Sequence, residues 1–394
     1  MTAKTEANAC VLVLNAGSSS LRFAAFRCSD LSLVMSGKFD RIGLPESELK
    51  LNGVGGGQTR QTSLSAPDHA SCLPRLSEEL KKQDVLAAII GHRVVHGGMR
   101  YRQPRRVDAE MLEELKKISP YLPEHLPAQI GLIETCSAEY SDIPQVACFD
   151  TAFHETLSPV AKRVPIPRRY AAKGIQRYGF HGLSYSYLMQ ELRRLDGCAA
   201  KQGRIVLAHL GNGASMAAVR DGKCIDTTMG FTPSAGLVMS RRSGDLDPGV
   251  VTYLMRTEGM TVDHFQKMIN HESGLLGVSE ISSDVRDLLK VEDTDARAAE
   301  ALELFCYQAK KWIGALASAL GGLELLVFSG GIGENAAEIR ARICDGLEFL
   351  GIRMDSDANQ KNAAIISSSE SEACVRIIRT NEELFIAQAI HSML

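Results

Sequence analysis

Arginine and histidine residues stand next to glycines in several short segments, a pattern suited to binding and stabilising anions. The segments are GHRVVHGG (91–98), RYGFHGLS (177–184) and SRRSGDLDPG (240–249). An unpaired charge is costly to remove from water, so a buried Arg93 needs an anionic partner. That partner is either an internal carboxylate or an anionic substrate, and the sequence leaves both open. A charged segment such as 240–249 is also typical of a solvated turn.

Three glycine-containing loops, NAGSSS (15–20), GNG (211–213) and GGIG (330–333), each follow an apolar run. Small residues let backbone N–H groups approach phosphate oxygens, although they are also common turn formers. None of the loops fits a Walker or dinucleotide pattern. Asp150 directly follows another apolar run, where a carboxylate can ligate a metal or orient a substrate. Together with the cations, this set favours phosphoryl transfer, whose catalysis is chiefly positioning and charge stabilisation.

The elements that must position these residues alternate between strand-like runs and amphipathic helices, which favours an α/β architecture. Apolar periodicity predicts helices over 108–118 and 295–320, the latter stopped by two glycines. A strand is predicted over 323–328, then a loop over 329–335 and a helix over about 336–350. We also expect a polar surface loop over 53–70 and a C-terminal helix with Asn381 as its N-cap.

The pattern of strand, small-residue loop and strand at 11–26 recurs at 204–223. Each copy is followed by a third strand-like run, at 31–39 and at 223–228. Two such meanders predict a duplicated fold with a cleft between the halves. Coincidence between two glycine-rich hairpins is the alternative.

Composition narrows the class of protein. A chain of 394 residues predicts two domains, and its 44 basic and 47 acidic residues give a net charge of −3. Without a long basic run, nucleic acid is not an expected partner. No apolar stretch reaches the length of a membrane span, and the first residues lack the apolar core of a signal peptide. The 10 cysteines are scattered singly, which favours reduced thiols in a cytoplasmic protein.

The order of motifs along the whole chain resembles the acetate kinase family, within the acetate, propionate and butyrate kinase group. That group belongs to the superfamily of sugar kinases, heat-shock chaperones and actin. The matching segments are LNAGSSSLRF, GHRVVHGG, FDTAFH, RYGFHG, HLGNGAS, DTTMGFTP, RSGDLDPG, SGLLGVS, SSDVRD, GGIGEN and TNEEL. The resemblance implies an α/β fold of two duplicated RNase H-like (actin-like ATPase) domains with an interdomain active-site cleft. It places residues 1–149 and the helix 385–394 in one domain and residues 150–384 in a nucleotide-binding domain.

The implied reaction is the reversible, Mg²⁺-dependent transfer of the ATP γ-phosphate to acetate by direct in-line displacement, in a homodimer. Mn²⁺ is an expected substitute for Mg²⁺. The residues implied in catalysis are Arg93, Asp150, His181 and Arg242, and those implied in metal binding are Asn15 and Glu382. Arg93 also belongs to the implied acid site, whose apolar wall is Val95, Phe180 and Pro233. The residues implied in nucleotide binding are Ser18, Ser20, Arg22, His209, Leu210, Gly211, Asn212, Gly213, Asp284, Val285, Arg286, Gly331, Ile332, Gly333, Glu334 and Asn335.

Four positions depart from the family pattern. Arg22 stands where the family usually has lysine, and Glu124 stands where a leucine usually precedes His125 near the acid pocket. Leu183 and Tyr185 replace a threonine and a histidine. The plain interpretation is that these changes are neutral substitutions at positions that support the site. Because Glu124 stands near the expected acid pocket, acetate, propionate and butyrate all stay open as substrates. A nucleotide switch of the actin type, with no acid substrate, is the remaining alternative, and Arg93 and Arg242 speak against it.

Overall fold

The computed structural model of the protein describes residues 8–53, 58–196 and 203–393. The chain forms two compact units. The first contains the residues up to Ala152 together with those from Asn381 onward, and the second contains Phe153–Thr380. The sequence predicts unit boundaries after residues 149 and 384, each a few residues from the corresponding boundary in the structure.

The strands of the described residues are mostly apolar, and the longest are almost wholly buried. In chain order they are β1 (Ala9–Ala16), β2 (Ser20–Arg27), β3 (Leu33–Asp40), β4 (Ser47–Asn52), β5 (Arg60–Leu64), β6 (Leu86–Val94), β7 (Arg105–Arg106), β8 (Gln145–Phe149), β9 (Arg204–Leu210), β10 (Ala214–Arg220), β11 (Lys223–Thr227), β12 (Leu325–Ser329) and β13 (Cys374–Ile377).

The α-helices of the described residues range from single turns to one long helix. In chain order they are α1 (Leu73–Lys82), α2 (Ala109–Ile118), α3 (Leu126–Glu139), α4 (Gly182–Asp196), α5 (Pro248–Thr257), α6 (Val262–Lys267), α7 (Gly274–Ser279), α8 (Val285–Val291), α9 (Ala296–Leu320), α10 (Gly330–Asn335), α11 (Ala337–Cys344), α12 (Ser356–Gln360) and α13 (Glu382–His391). None of them combines the length and apolar character needed to cross a membrane.

The two units contain sheets with the same core topology. The first sheet has the order β5-β4-β3-β2-β1-β6-β8-β7, and the second has the order β11-β10-β9-β12-β13. In the first, β3, β2 and β1 pair antiparallel, and β6 and β8 continue parallel to β1. In the second, β11, β10 and β9 pair antiparallel, and β12 and β13 continue parallel to β9. The duplicated meander predicted from the sequence is therefore confirmed.

The C-terminal helix α13 packs on the sheet of the first unit, beside β1, β2 and β6. Gly91 in β6 makes this packing possible. A Cβ atom on Gly91 would lie 2.7 Å from side-chain atoms of both Ile386 and Ile390. Because a larger residue at position 91 would displace the helix, this close approach fixes where the first residues of α13 lie relative to the sheet.

Helix ends are set by capping side chains and by a left-handed glycine. The side chain of Asp108 accepts a hydrogen bond from the Met111 N–H at the start of α2. Asp295 caps α9, and the left-handed Gly321 ends it. Asn381 accepts a hydrogen bond from the Leu384 N–H at 3.0 Å, so its role as an N-cap is confirmed.

Three local predictions are wrong. Strand β5 lies inside the predicted loop 53–70; its RQTSL sequence is exposed and lacks apolar alternation, so only its pairing with β4 defines it. The predicted loop 329–335 contains the short helix α10. The predicted helix 336–350 stops at Cys344, because Asp345 is extended and Gly346 is left-handed at φ +75°.

Candidate functional site

In the first unit, predicted site residues meet at the carboxyl ends of three adjacent strands. Asn15 lies near the end of β1, Arg93 near the end of β6, and Asp150 directly after β8. These strands are neighbours and parallel. Carboxyl ends of parallel strands meet at one edge of a sheet, which is the usual place for a ligand in α/β proteins.

Arg93 and Asp150 form a bidentate ion pair. The Arg93 Nη2 atom lies 2.5 Å from Asp150 Oδ2, and Nε lies 3.2 Å from Oδ1. The Asp150 side chain is fully buried, whereas that of Arg93 keeps 15% of its surface exposed. Burial raises the pKa of Asp150. The positive charge of Arg93 acts against this rise, and the nearby Glu382 carboxylate adds to it. Asp150 therefore holds the guanidinium in place while part of Arg93 stays accessible.

Two adjacent carboxylates of α13 face the same cluster. The Asn15 Nδ2 group donates to Glu382 Oε2 at 3.2 Å and to Glu383 Oε1 at 2.9 Å. Its Oδ1 atom accepts from Arg93 Nη1 at 3.4 Å. The Arg93 Nε atom also lies 3.8 Å from Glu382 Oε2. Glu383 is a further candidate site residue, which the sequence reasoning missed because no local pattern shows that both adjacent glutamates face Asn15.

The oxygen atoms around Asn15 suit a small, hard cation. Carboxylate and amide oxygens are ligands that Mg²⁺ prefers, and this ion usually keeps water and substrate phosphates as its remaining ligands. No group of three or more His, Cys, Asp or Glu side chains in the described ranges is arranged to hold a metal ion. The residues that could hold Mg²⁺ here are Glu382 and Glu383, together with the amide oxygen of Asn15.

The serine loop between β1 and β2 is a tight hairpin. The Gly17 N–H donates to the Ser20 carbonyl at 2.8 Å, and a ring nitrogen of His69 bonds the Gly17 carbonyl at 2.7 Å. Ser18 is exposed at the tip of the loop, and Arg22 is exposed on β2. The loop is thus held from within the unit while its serine tip faces outward.

In the second unit, two histidine rings stack on each other. The ring centroids of His181 and His209 lie 4.4 Å apart, with an interplanar angle of 24°. His209 Nδ1 lies 2.9 Å from Ser184 Oγ, and His181 Nδ1 lies 2.8 Å from Ser215 Oγ. His181 has a positive φ of 56°, a strained conformation that tends to occur at functional sites.

Arg242 lies beside these histidines. Its Nη1 group donates to the Pro233 carbonyl at 2.7 Å. A Cβ atom on Gly213 would lie 2.6 Å from Arg242 Nη2 and 3.1 Å from His181 Nε2. The structure therefore brings together Arg242, His181 and the glycine loop, and only a glycine at position 213 leaves room for both side chains.

The two glycine loops of this unit are neighbours. A Cβ atom on Gly211 would lie 3.7 Å from the Gly331 nitrogen. Glu334 braces α10, because its Oε1 atom accepts from the N–H groups of Gly330 at 2.9 Å and Thr380 at 3.1 Å. Asn335 Nδ2 donates to the Gly331 carbonyl at 2.9 Å. The side chains of Glu334 and Asn335 thus hold the loop itself.

Asp284 and Arg286 pair with each other at the start of α8. Arg286 donates to Asp284 through Nε at 3.0 Å and Nη2 at 2.6 Å, and these hydrogen bonds hold the pKa of Asp284 below its usual range. Asp284 also caps the helix through the Arg286 N–H. The Arg286 side chain is 83% exposed, which leaves it accessible to a ligand.

Several predicted site residues are buried apolar side chains. Leu210 is 0%, Val285 3%, Phe180 1% and Val95 2% exposed. Leu210 and Val285 can offer a ligand only backbone atoms. Val95 belongs to the first unit, whereas Phe180 and Pro233 belong to the second, so each unit holds only a part of the predicted acid pocket.

One of the four departures from the family pattern, Tyr185, shares a hydrogen-bond partner with a predicted catalytic residue. Its hydroxyl lies 2.5 Å from Ser215 Oγ, the atom that also contacts His181. Leu183 is buried at 3% exposure, and Glu124 is half-buried. Tyr185 is thus linked through Ser215 to the predicted catalytic side chain of His181.

Duplicated α/β units with cations, carboxylates and glycine loops at the ends of their parallel strands define a phosphotransferase of the actin-like fold. The profile of the Acetokinase family matches residues 10–388. An acetate kinase from Chromobacterium violaceum is 41% identical over 391 residues, which cover 96% of this chain and 97% of that protein. The chain belongs to the acetokinase family and is a kinase.

Solved structures agree with this assignment. An acetate kinase from Porphyromonas gingivalis has a TM-score of 0.88 and 36% identity, covering 98% of this chain and 99% of that one. A propionate kinase from Francisella tularensis has a TM-score of 0.91 and 35% identity, covering 97% and 98% of the two chains. Relatives named for two different acids are therefore similar to this chain throughout its length.

Proposed function

We propose that this enzyme transfers the γ-phosphoryl group of ATP reversibly to acetate, by direct in-line displacement. The observation that carries the proposal is that the Arg93 side chain is both fixed in place and partly exposed. Asp150 holds one edge of its guanidinium in a buried ion pair, yet 15% of the side chain stays exposed. A fixed, accessible guanidinium of this kind suits a carboxylate or phosphoryl oxygen, which it can bind through two parallel hydrogen bonds.

The proposed catalytic cations and hydrogen-bond donors stabilise negative charge that develops during the reaction. During phosphoryl transfer, negative charge is spread over the equatorial oxygens of the group in flight. Arg93 and Arg242 stabilise that charge, and His181 donates a hydrogen bond to it. Because these groups are already oriented by Asp150, Pro233 and Ser215, they need little reorganisation when the reaction occurs.

The cluster around Asn15 is the proposed site for Mg²⁺. Glu382 and Glu383 supply carboxylate oxygens, and Asn15 supplies an amide oxygen and holds both carboxylates through its Nδ2 group. When bound, the ion would neutralise phosphate charge. The exposed Ser18 at the tip of the hairpin loop is proposed to face the γ-phosphate.

The proposed nucleotide site is in the second unit. Its components are the loop that follows β9, residues Gly331–Asn335 of α10, and the pair of Asp284 and the exposed Arg286. The proximity of the loops at Gly211 and Gly331 supports this proposal, since it places the Gly331 N–H group beside the first loop. Such groups are suited to phosphate oxygens. The enzyme is further proposed to be a cytoplasmic homodimer.

The test is acyl phosphate formation from Mg-ATP with acetate, propionate and butyrate in parallel, trapped as the hydroxamate. We expect the highest kcat/KM on acetate. One methylene is worth only about 10- to 200-fold in specificity, so a preference for propionate would correct the acid and keep the reaction. Nucleotide binding without acyl phosphate from any of the three acids would refute the proposal.

Adjacent arginines provide a matched pair of variants. R242A should lower kcat on the order of 100-fold, because one stabilising donor of a developing charge is lost. R241A removes an exposed neighbouring side chain and should keep kcat within about 2-fold, as surface substitutions do. Wild-type turnover in R242A would contradict the assigned role.

A further inference from the structure

The stacked histidines His181 and His209 are held in the same way. Each imidazole has a hydroxyl at its Nδ1 atom, from Ser215 and Ser184 respectively. Both Nε2 atoms face the glycine loop: Cβ atoms on Gly213 and Gly211 would lie 3.1 Å and 3.9 Å from them. A ring fixed at Nδ1 presents Nε2 to this loop, so the tautomer decides whether a proton or a lone pair faces it.

Ser215 connects His181 to Tyr185. The Tyr185 hydroxyl lies 2.5 Å from Ser215 Oγ, and Ser215 Oγ lies 2.8 Å from His181 Nδ1. Both hydroxyl residues are fully buried, each at 0% exposure.

Three arrangements of the hydroxyl hydrogens are conceivable. If His181 Nδ1 carries the proton and donates to Ser215, the serine hydrogen must go to Tyr185 or remain without an acceptor. If it goes to Tyr185, the phenol hydrogen has no acceptor among the described residues in contact with it. Only when Tyr185 donates to Ser215, and Ser215 donates to His181 Nδ1, does each O–H group have an acceptor. A buried donor without an acceptor retains the full cost of its desolvation.

We propose that Tyr185 and Ser215 form a hydrogen-bond chain of fixed direction that holds His181 as the Nε2–H tautomer. Tyr185 is thus a positioning residue that acts through Ser215. The proposal rests on the proposed function, in which His181 donates to the transferring phosphoryl group. With the proton on Nε2, His181 presents a donor toward Gly213 and Arg242. With the proton on Nδ1, it would present a lone pair that repels anionic oxygens.

The direction of the chain depends on tyrosine at position 185. A phenol in this position has its hydrogen to donate and one neighbouring hydroxyl to receive it. A neutral imidazole there, as in the family pattern, could accept from Ser215 and so allow the chain to reverse. The replacement is therefore a device that fixes the tautomer, and not drift in a supporting position.

The first measurement is the tautomer of His181, read from the ¹⁵N shifts of labelled imidazole nitrogens and assigned with H181Q. We expect the Nε2–H form in the wild-type enzyme. S215T and S215V have nearly equal volume, but only threonine keeps the hydroxyl. S215T should keep the Nε2–H form, and S215V should show a mixture. A wild-type Nδ1–H form, or equal spectra for the two variants, would overturn the proposal.

The second measurement is kinetic and uses a matched pair on α4. Y185F removes only the buried hydroxyl, whereas Y187F makes the same change at a half-buried position of that helix. In Y185F, Ser215 keeps His181 as its acceptor but loses the hydrogen bond that orients its hydroxyl, which predicts a fall in kcat of about 3- to 10-fold with KM for the acid unchanged. Y187F should match the wild type. Equal kcat for Y185F and the wild type would overturn the role of Tyr185.

The failure of this proposal can be told from failure of the proposed function. If H181Q keeps wild-type turnover, His181 has no role in the reaction and the proposed function loses that residue. The ¹⁵N spectra still test the hydrogen-bond chain in that case, because they do not depend on turnover.

Discussion

Replacing Arg340 by methionine tests how the second unit holds its glycine loop. Arg340 lies on α11 and is fully buried. Its guanidinium donates to Gly333 O at 2.9 Å, to Asn359 Oδ1 at 2.8 Å and to Asn359 O at 2.9 Å, and to Asn362 Oδ1 at 2.6 Å. All four acceptors are neutral. Burial lowers the pKa of Arg340 to about 10, as expected for a cation surrounded by amide and carbonyl oxygens.

The magnitude follows from these contacts. A hydrogen bond to a charged group contributes about 1.5 to 3 kcal/mol, so the four together contribute about 6 to 12 kcal/mol. The variant regains several kcal/mol, because the guanidinium no longer has to be desolvated. The expected loss is therefore about 3 to 5 kcal/mol, the range typical of removing one partner from a buried polar set. Since Gly333 O loses its donor, α10 should also shift.

Scanning calorimetry of the second unit and the KM for ATP provide the assay. For a unit of this size, the unfolding midpoint shifts by about 2 to 4 °C for each kcal/mol of lost stability. The midpoint of R340M should therefore fall by about 6 to 20 °C. R342M is the matched control. Arg342 lies on the same helix and pairs with Glu292 and Glu338, but 32% of its side chain is exposed, so the two pairs together should contribute about 2 kcal/mol or less. Equal midpoints for the two variants would refute the reasoning.

Two further predictions follow from close contacts. G213A should lower kcat by more than about 10-fold, while the unfolding midpoint stays within about 2 °C of the wild type. The new Cβ would lie 2.6 Å from the end of the Arg242 side chain and would displace that side chain, not the backbone. A large loss of stability would contradict this. E79Q should destabilise the first unit by about 1 to 2 kcal/mol at pH 7, since the buried Glu79 carboxylate accepts contacts from Arg60, Arg75 and Lys82. Burial alone would raise the pKa of Glu79, but the Lys82 hydrogen bond and the two arginines leave it below 4.5. A carboxyl with a lowered folded-state pKa stabilises above its unfolded pKa and loses that contribution as pH falls through the folded value. Wild-type midpoints should therefore approach those of E79Q below about pH 4, and a constant difference down to pH 2 would show that the charge does not matter.

Much of the fold could be predicted because its signals are local. Buried strands appear as apolar runs, and residues such as Asp295 and Gly321 mark helix ends through contacts within a turn. Strand β5 has no such signal, since it is an exposed edge strand defined only by pairing with β4. Helix α10 was missed because glycines dominate it and the Glu334 brace is not visible in the sequence.

The candidate site was predictable as a set of motifs but not as a set of contacts. The motifs indicated Arg93 and His181, because cations among glycines stand out, and Asp150, because a carboxylate directly after an apolar run stands out. The bond between His181 and Ser215 joins residues 34 positions apart, and the bond between Tyr185 and Ser215 joins residues 30 apart. Such contacts depend on the register of β9 and β10, which no local pattern specifies.

The first unit contains segments that lie before and after the second unit in the sequence, so its parts are synthesised at different times. The hydrogen bond between Asn15 and Glu382 joins residues 367 positions apart. A ribosome translating this chain releases β1, β6 and β8 long before α13, so the nascent first unit has Arg93 and Asp150 but lacks both glutamates. The carboxylates that complete the cluster arrive only after all of residues 153–380 have been made. A nascent chain that has not yet reached residue 382 would thus lack both carboxylates of the cluster.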